Sequence, residues 1–385
     1  MDVKLQTSNF DKIKISSVDT TAASSIILSD NEFYDECIGF LKLTGANARV
    51  FPESYCSIKK ILGLSEMELI RAIPAETVKN HFQSITETLQ NVLCCKENEE
   101  YLVSYLEMKR FLRKLSAPIV DKLILRDIIT KTAHAPTGQR MLELMPGPDG
   151  KAKKTEYGML GSRTGRLVVT SGPQILTLPS KSRKAFKSSF SSGKILQIDL
   201  ISAEPKIALH MQGKDSITDV YDHISKVILE GKVTRDQAKL ITLCSLYGQS
   251  PENLKKSLPD SISPRVIIRE TKQFFDVYNL ESILKNSQRN SNLRNVLGRP
   301  IFLPENDQRL LISYFLQSSA AEISILAFSE WCKHNKEGAI PLYIIHDALI
   351  VDCDKKTSDT LTKNRILTLK VGDWKFEAKV TGFDI

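Results

Sequence analysis

Two aspartates, Asp199 and Asp347, stand 148 residues apart, yet each ends a short apolar run: Ile195-Leu196-Gln197-Ile198 before the first, Leu342-Tyr343-Ile344-Ile345 and then His346 before the second. Neighbouring strands of one sheet would bring both carboxylates together. Close carboxylates repel and desolvate one another unless positive charge lies between them. Mg²⁺ is the natural guest, because a hard cation takes oxygen ligands and keeps positions free for phosphate and water. Two such ions about 3.5–4 Å apart can activate a hydroxyl and stabilise a leaving pyrophosphate. Taken singly, either aspartate reads more simply as a turn or helix cap after a strand; the pair is what points to metal chemistry.

Cations with phosphate-binding character lie between the two aspartates in sequence. Arg235, Lys239, Leu243 and Tyr247 recur every four residues, which lays them along one slowly turning stripe of a helix. Thr234 followed by Gln237 forms a capping box, and Gly248 closes the pattern, so the helix is expected over Arg235–Tyr247. By itself this stripe is equally an amphipathic surface helix.

The elements that must hold these residues can be read more coarsely. Lys194–Asp199 reads as a buried strand, and Leu342–Ile345 with Ala348–Val351 as a hairpin with His346-Asp347 at its tip. A helical pattern runs from Glu99 to Arg126, and Met145-Pro146-Gly147-Pro148-Asp149-Gly150 then breaks it, marking a domain boundary. Residues 1–95 show no strong periodicity.

The 385 residues suffice for two or three domains at roughly 100–200 residues each. With 42% hydrophobic and 25% charged residues, disorder and fibrous architectures are excluded. No run approaches the roughly 18 apolar residues of a spanning helix, and the start lacks the order of a secretory signal, so the expectation is a cytoplasmic protein with no membrane partner. Seven cysteines without a Cys-x-x-Cys indicate reduced thiols rather than disulfides or structural zinc. Charge is uneven: residues 1–150 hold 18 basic and 20 acidic groups, the remainder 35 and 25. Within 151–190, nine basic groups (Lys151, Lys153, Lys154, Arg163, Arg166, Lys181, Arg183, Lys184, Lys187) face Glu156 alone. Such a strip attracts a phosphate backbone, although a solvated surface would look the same.

Asp199-Leu200-Ile201-Ser202-Ala203-Glu204-Pro205-Lys206-Ile207-Ala208-Leu209-His210 resembles the first polymerase motif of family A DNA polymerases, the DNA polymerase I family. Arg235-x3-Lys239-x7-Tyr247-Gly248 is similar to that family's fingers helix, and His346-Asp347 to its third motif. Thr164-Gly165-Arg166-Leu167 with Leu178-Pro179, then Gly298-Arg299, Arg309, Gln317-Ser318-Ser319-Ala320-Ala321-Glu322 and Gly372-Asp373-Trp374 follow in family order. The resemblance implies an α+β right-hand fold: an N-terminal region over 1–95 serving as a partner-binding or thumb-supporting piece, a thumb-like helical region over 96–160, palm over 161–214 and 300–385, and fingers over 215–299. It implies a DNA-directed DNA polymerase that adds deoxynucleotides to a primer 3′-hydroxyl, with primer-template DNA and deoxynucleoside triphosphates as partners. Asp199, Asp347 and the Leu200 carbonyl would hold two Mg²⁺ ions. Arg235 and Lys239 would grip the triphosphate, Lys239 offsetting charge on the leaving group. Tyr247 would close over the nascent pair and Glu204 would block a ribose 2′-hydroxyl. Arg166 and Gln317 would read the minor groove, Arg309 a template phosphate, and His346 the primer end.

Four departures from the family pattern stand out. Ala348 replaces a second acid, Leu243 an aromatic residue, and Pro205 an apolar one; the histidine before the fingers helix has either Tyr221 or His223 in its place. Asp30-Asn31-Glu32 superficially matches the metal pair of a proofreading exonuclease, but too few residues separate it from the thumb-like helices, so it reads as a capped turn. Editing is therefore expected from a separate exonuclease, as in a phage whose polymerase works in its host's cytoplasm, and a processivity partner would also be a separate chain. The alternatives are a single-subunit RNA polymerase, against which Glu204 speaks, and a non-catalytic polymerase-like DNA-binding subunit, which would have no need of both acids and the cation stripe.

The basic strip makes salt the first test. Primer-template affinity should fall linearly with salt on logarithmic axes, and replacing Lys181, Arg183 and Lys184 together should flatten that slope. An unchanged slope would mean that these groups face solvent in the complex.

Overall fold

The structure is a computed structural model that describes residues 2–7, 13–18, 28–29, 31–46, 53–64, 69, 72–132, 140–214, 217–290, 292–304 and 307–383. Asp30, with Ile26 and Ile27 before it, and the expected boundary residue Asp215 lie outside the described residues. The chain divides into two compact units, Met1–Lys109 with Leu297–Pro300, and Arg110–Val296 with Ile301–Ile385.

In the first unit, strands β1 (Asp2–Thr7), β2 (Ile13–Val18) and β3 (Leu28–Ser29) form an antiparallel sheet in that order. Helices Asn31–Leu43, Glu53–Leu62 and Ala75–Leu93 follow, and the Lys96–Lys114 helix begins here. Its core is aromatic: Phe40, Tyr101 and Tyr105 pack with ring centroids 5.8 to 6.3 Å apart. Gly298 closes against this core with φ +96, and a Cβ there would come within 3.2 Å of the Tyr101 Cβ. Both the backbone angle and the close approach therefore require glycine.

In the second unit, the single helical stretch expected from Glu99 to Arg126 is interrupted. The first helix ends at Lys114, and a second runs over Lys122–Thr132. Pro118 between them has no N–H and biases Ala117 away from helical angles. The chain extends into β4 (Ile119–Val120), and Asp121 starts the next helix by accepting from Leu123 N and Ile124 N. Strands β5 (Glu156–Gly158) and β6 (Val168–Ser171) pair with each other, and β7 (Phe186–Lys187) pairs with β4.

The main sheet has five strands: β8 (Lys194–Leu200), β9 (Ala339–Ile345), β10 (Ala348–Cys353), β11 (Ile366–Val371) and β12 (Trp374–Gly382). Their order is β11-β12-β8-β10-β9, antiparallel throughout. Along β8, Leu196, Ile198 and Leu200 are buried while Lys194 and Asp199 are exposed, the alternation of a half-buried strand. β10 is buried on both faces, in keeping with its unbroken apolar run Ala348-Leu349-Ile350-Val351. Pro341 sits in β9, an edge strand, where its missing N–H breaks no ladder. The 24-residue Leu311–His334 helix packs against β11 and the Ala203–His210 helix. It is long and apolar enough to cross a membrane, but it is mostly buried as a core helix of this unit. The Arg235–Tyr247, Pro264–Phe274 and Val277–Arg289 helices fill the segment between β8 and the long helix.

One buried carboxylate fixes how the chain enters this sheet. Asp352 on β10 accepts from Ser188 Oγ, Ser189 Oγ and Ser189 N at 2.5–2.7 Å. Asp352→Ala should strand these donors and cost about 3 kcal/mol, read as a lower urea midpoint with an unchanged slope.

Candidate active site

The β8–β10 pairing decides the geometry. Asp199 lies opposite Ala348 in the antiparallel register, and the Leu200 N–H donates to the Asp347 carbonyl at 3.1 Å. The two aspartates expected to meet do so at one end of the sheet. The β9–β10 connection is the two-residue turn His346-Asp347, in which His346 takes φ 53. A tight hairpin needs such an angle, and a residue with a Cβ adopts it at a cost typical of functional sites. Ser202 is also left-handed, with φ 54, and turns the chain from β8 into the Ala203–His210 helix.

Asp199 is solvent-exposed at the strand end, yet surrounding atoms and the Asp347 charge push its pKa up to about 6, against the pull of Lys239, Lys379 and His346. Burial likewise raises Asp347, while Arg166, His346 and Lys239 act in the opposite sense. Among the described residues neither aspartate makes an ion pair. Two oxygen-donor groups raised in this way beside the Leu200 main chain fit a hard divalent cation, whose charge would reverse both shifts. A second acid at position 348 would face Asp199 across the ladder, but Ala348 is buried there and adds no charge.

Glu204, in the first turn of the Ala203–His210 helix, is the hub beside this pair. It accepts from Arg166 Nη2 at 3.0 Å and from the Tyr247 hydroxyl. The Tyr247 oxygen is also within hydrogen-bonding reach of Gln317, which in turn donates to Ser313 Oγ at 3.1 Å. Burial raises the Glu204 pKa, and the Tyr247 and Arg166 bonds oppose that rise. Three segments distant in sequence therefore meet at one carboxylate, and Gln317 joins them through Tyr247.

The Arg235–Tyr247 helix has the expected ends. Thr234 Oγ1 accepts from Gln237 N, the Gln237 side chain accepts from Thr234 N, and Gly248 takes φ 66. Arg235 and Lys239 are exposed, while Leu243 and Tyr247 are half-buried. The Arg235 guanidinium carbon and Lys239 Nζ stand 5.5 and 6.0 Å from the ring centre of Tyr221. Tyr221, not His223, lies beside these cations; His223 packs with Phe274 at 5.5 Å. Arg309 is exposed in the short turn before the Leu311–His334 helix, its Nε 3.1 Å from Asp307 Oδ1. Of the basic strip, Lys181 and Lys184 are exposed, Arg183 donates to Gln197 and stacks on Phe383, and Lys187 pairs with Asp121.

Two positions were missed by sequence reasoning. Lys379 on β12 is opposite Asp199 in register, so the two share a sheet face. Asp219 binds Arg235 Nε at 2.8 Å. Neither belongs to a motif used above; only the pairing of β12 with β8, and of a turn with a helix 16 residues on, reveals them.

A family model described as DNA polymerase family A matches residues 66–376, a span containing every site residue named here except Lys379. No curated protein matches the chain. Among solved structures, the chain is similar to the POL domain of Pol1 from M. smegmatis, in complex with DNA primer-template and dNTP. The TM-score is 0.62 and the identity 15%, over 91% of this chain and 82% of that one. At this identity the likeness speaks for the fold, the palm, fingers and thumb arrangement.

The raised Asp199 pKa has a signed consequence for the metal-free protein. The folded state holds this proton up to about pH 6, whereas an unfolded aspartate releases it near pH 4. Ionisation of Asp199 therefore lowers stability as pH rises from about 4 to about 6, after which the loss is constant. Asp199→Asn should thus melt above wild type at pH 8 without divalent cations, with the gap closing as pH falls to about 4. A gap independent of pH would contradict the assignment.

Proposed function

The chain belongs to DNA polymerase family A, a DNA-directed DNA polymerase family; from that premise we infer how this site divides the work of extending a primer 3′-hydroxyl. The carrying observation is the meeting of Asp199 and Asp347 at one sheet end, both raised in pKa, beside a helix whose Lys239 acts on both. Primer-template DNA and deoxynucleoside triphosphates are its partners. The β8–β12 sheet is the palm, with 161–214 and 300–385 contributing to it; 215–299 form the fingers, 96–160 the thumb, and 1–95 support the thumb or bind a partner.

Family A polymerases use divalent metal. Asp199, Asp347 and the Leu200 carbonyl are the groups that would hold Mg²⁺, two ions in this reading. Bound there, the metal supplies charge that activates the primer hydroxyl and stabilises the leaving pyrophosphate. Arg235 and Lys239 hold the triphosphate, and Lys239 offsets the charge that develops as the pyrophosphate departs. His346, at the turn beside Asp347, meets the primer end; Arg309 holds a template phosphate. Tyr247 and Leu243 form the wall against which the nascent pair closes. Arg166 binds Glu204 through Nη2, and with Gln317 it tests minor-groove acceptors that all correct pairs share. Glu204, bonded to Tyr247, occupies the space a ribose 2′-hydroxyl needs.

Asp199→Asn and Asp347→Asn should each abolish primer extension in Mg²⁺ while primer-template binding stays near wild type, because the basic segment is untouched. Near wild-type turnover in either variant would remove the paired-acid assignment. Glu204→Ala should raise the ribo- to deoxynucleotide ratio of kcat/KM on one template, by about five- to 150-fold if a stranded, desolvated carboxylate costs 1–3 kcal/mol. An unchanged ratio would place sugar selection elsewhere.

A further inference from the structure

Asp219 precedes the short helical turn Val220–His223 and carries two separate duties on its two oxygens. Oδ1 accepts from Tyr221 N and Asp222 N at 3.0 and 3.1 Å, the bonds of a helix cap. Oδ2 accepts from Arg235 Nε at 2.8 Å. Tyr221, two residues on and 6% exposed, lies under the same guanidinium, with its ring centre 5.5 Å from the guanidinium carbon. Arg235 is therefore fixed at its edge by a charge and along its face by a buried ring. Among the described residues this leaves the two Nη groups as the part of the fork open to a ligand. An arginine held in this way loses little further side-chain freedom when it grips an oxyanion. The cap matters because it locks the carboxylate's direction: Oδ1 is occupied by main-chain donors, so Oδ2 has one orientation to offer. Lys239 stands 6.0 Å from the same ring, so two like charges share one aromatic platform, an arrangement relieved by an anion placed between them.

We propose that Asp219 and Tyr221 are positioning residues that hold Arg235 ready for the incoming triphosphate, Asp219 through its Nε bond and Tyr221 through its ring. This rests on the reading above in which Arg235 binds the triphosphate. The partly exposed pair, with side chains 44% and 30% accessible, sets a modest size for the effect.

The test is steady-state single-nucleotide incorporation on a fixed primer-template with the full chain. Asp219→Asn is isosteric: its amide oxygen keeps the two cap bonds, while its NH₂ meets Arg235 Nε donor to donor. The melting temperature should remain near wild type and KM for the nucleotide should rise about three- to tenfold with kcat changed less than twofold, the range expected of one part-exposed charged bond. The substitution should add nothing further in an Arg235→Ala background. Tyr221→Leu should raise KM more than Tyr221→Phe, which keeps the ring; this pair reads the platform independently if Asp219→Asn lowers stability. If Arg235→Ala raises KM while Asp219→Asn leaves it unchanged, or if Tyr221→Leu and Tyr221→Phe behave alike, the positioning role is overturned and the triphosphate assignment stands. If Arg235→Ala itself leaves KM unchanged, the triphosphate assignment is what fails.

Discussion

The repulsion between Asp199 and Asp347 is the constraint around which the catalytic end of the sheet is built. Antiparallel pairing of β8 with β10 brings both to one edge; burial raises both pKa values, and the Asp347 charge adds to the rise at Asp199. An uncompensated pair of this kind opposes folding, so its persistence requires a fold that over-determines its position. Three features do so here: the Leu200 N–H bond to the Asp347 carbonyl, the tight His346-Asp347 turn, and a β10 buried on both faces. Cations surround the pair without neutralising it. Lys239, Lys379, His346 and Arg166 all act on one or both acids, yet among the described residues none forms an ion pair with them. The site is therefore left with negative charge for a small divalent cation to complete.

A second layer converts that charge into a shaped pocket. Glu204 binds Arg166 and Tyr247, tying a loop, the helix after β8 and the end of the Arg235–Tyr247 helix to one carboxylate. The cation stripe is anchored at its other end by Asp219 and Tyr221. Each helix is thus fixed by polar contacts facing the site and apolar contacts facing away, Ala238, Ile241 and Cys244 being buried behind the stripe.

Local signals made the Arg235–Tyr247 helix legible to the residue, because the Thr234–Gln237 box and Gly248 act within a few residues of the ends they set. The strands ending in the two acids were legible for the same reason, and the hairpin tip at His346-Asp347 follows from its short spacing. What failed to show was non-local. Nothing in the sequence ranks Lys379 above other lysines until β12 pairs with β8 and sets it opposite Asp199. Tyr221 and His223 are equivalent by spacing, and only packing separates the one under Arg235 from the one beside Phe274. The helical pattern around Pro118 misled because apolar periodicity continued on both sides of a residue that cannot donate. Family resemblance supplied the candidate site residues, but it was silent on Lys379 and Asp219, which only the folded contacts bring to them.

In this reading Asp199 and Asp347 act together as one cation site. Its most direct test is titration of Mn²⁺, followed by electron paramagnetic resonance, into the full chain with primer-template and a nucleotide, comparing wild type with Asp199→Asn, Asp347→Asn and the surface control Asp373→Asn. Tight Mn²⁺ binding is expected in wild type and control and is expected to be lost in both single-site variants, because either acid alone is insufficient. Undiminished binding in Asp199→Asn or Asp347→Asn would contradict it.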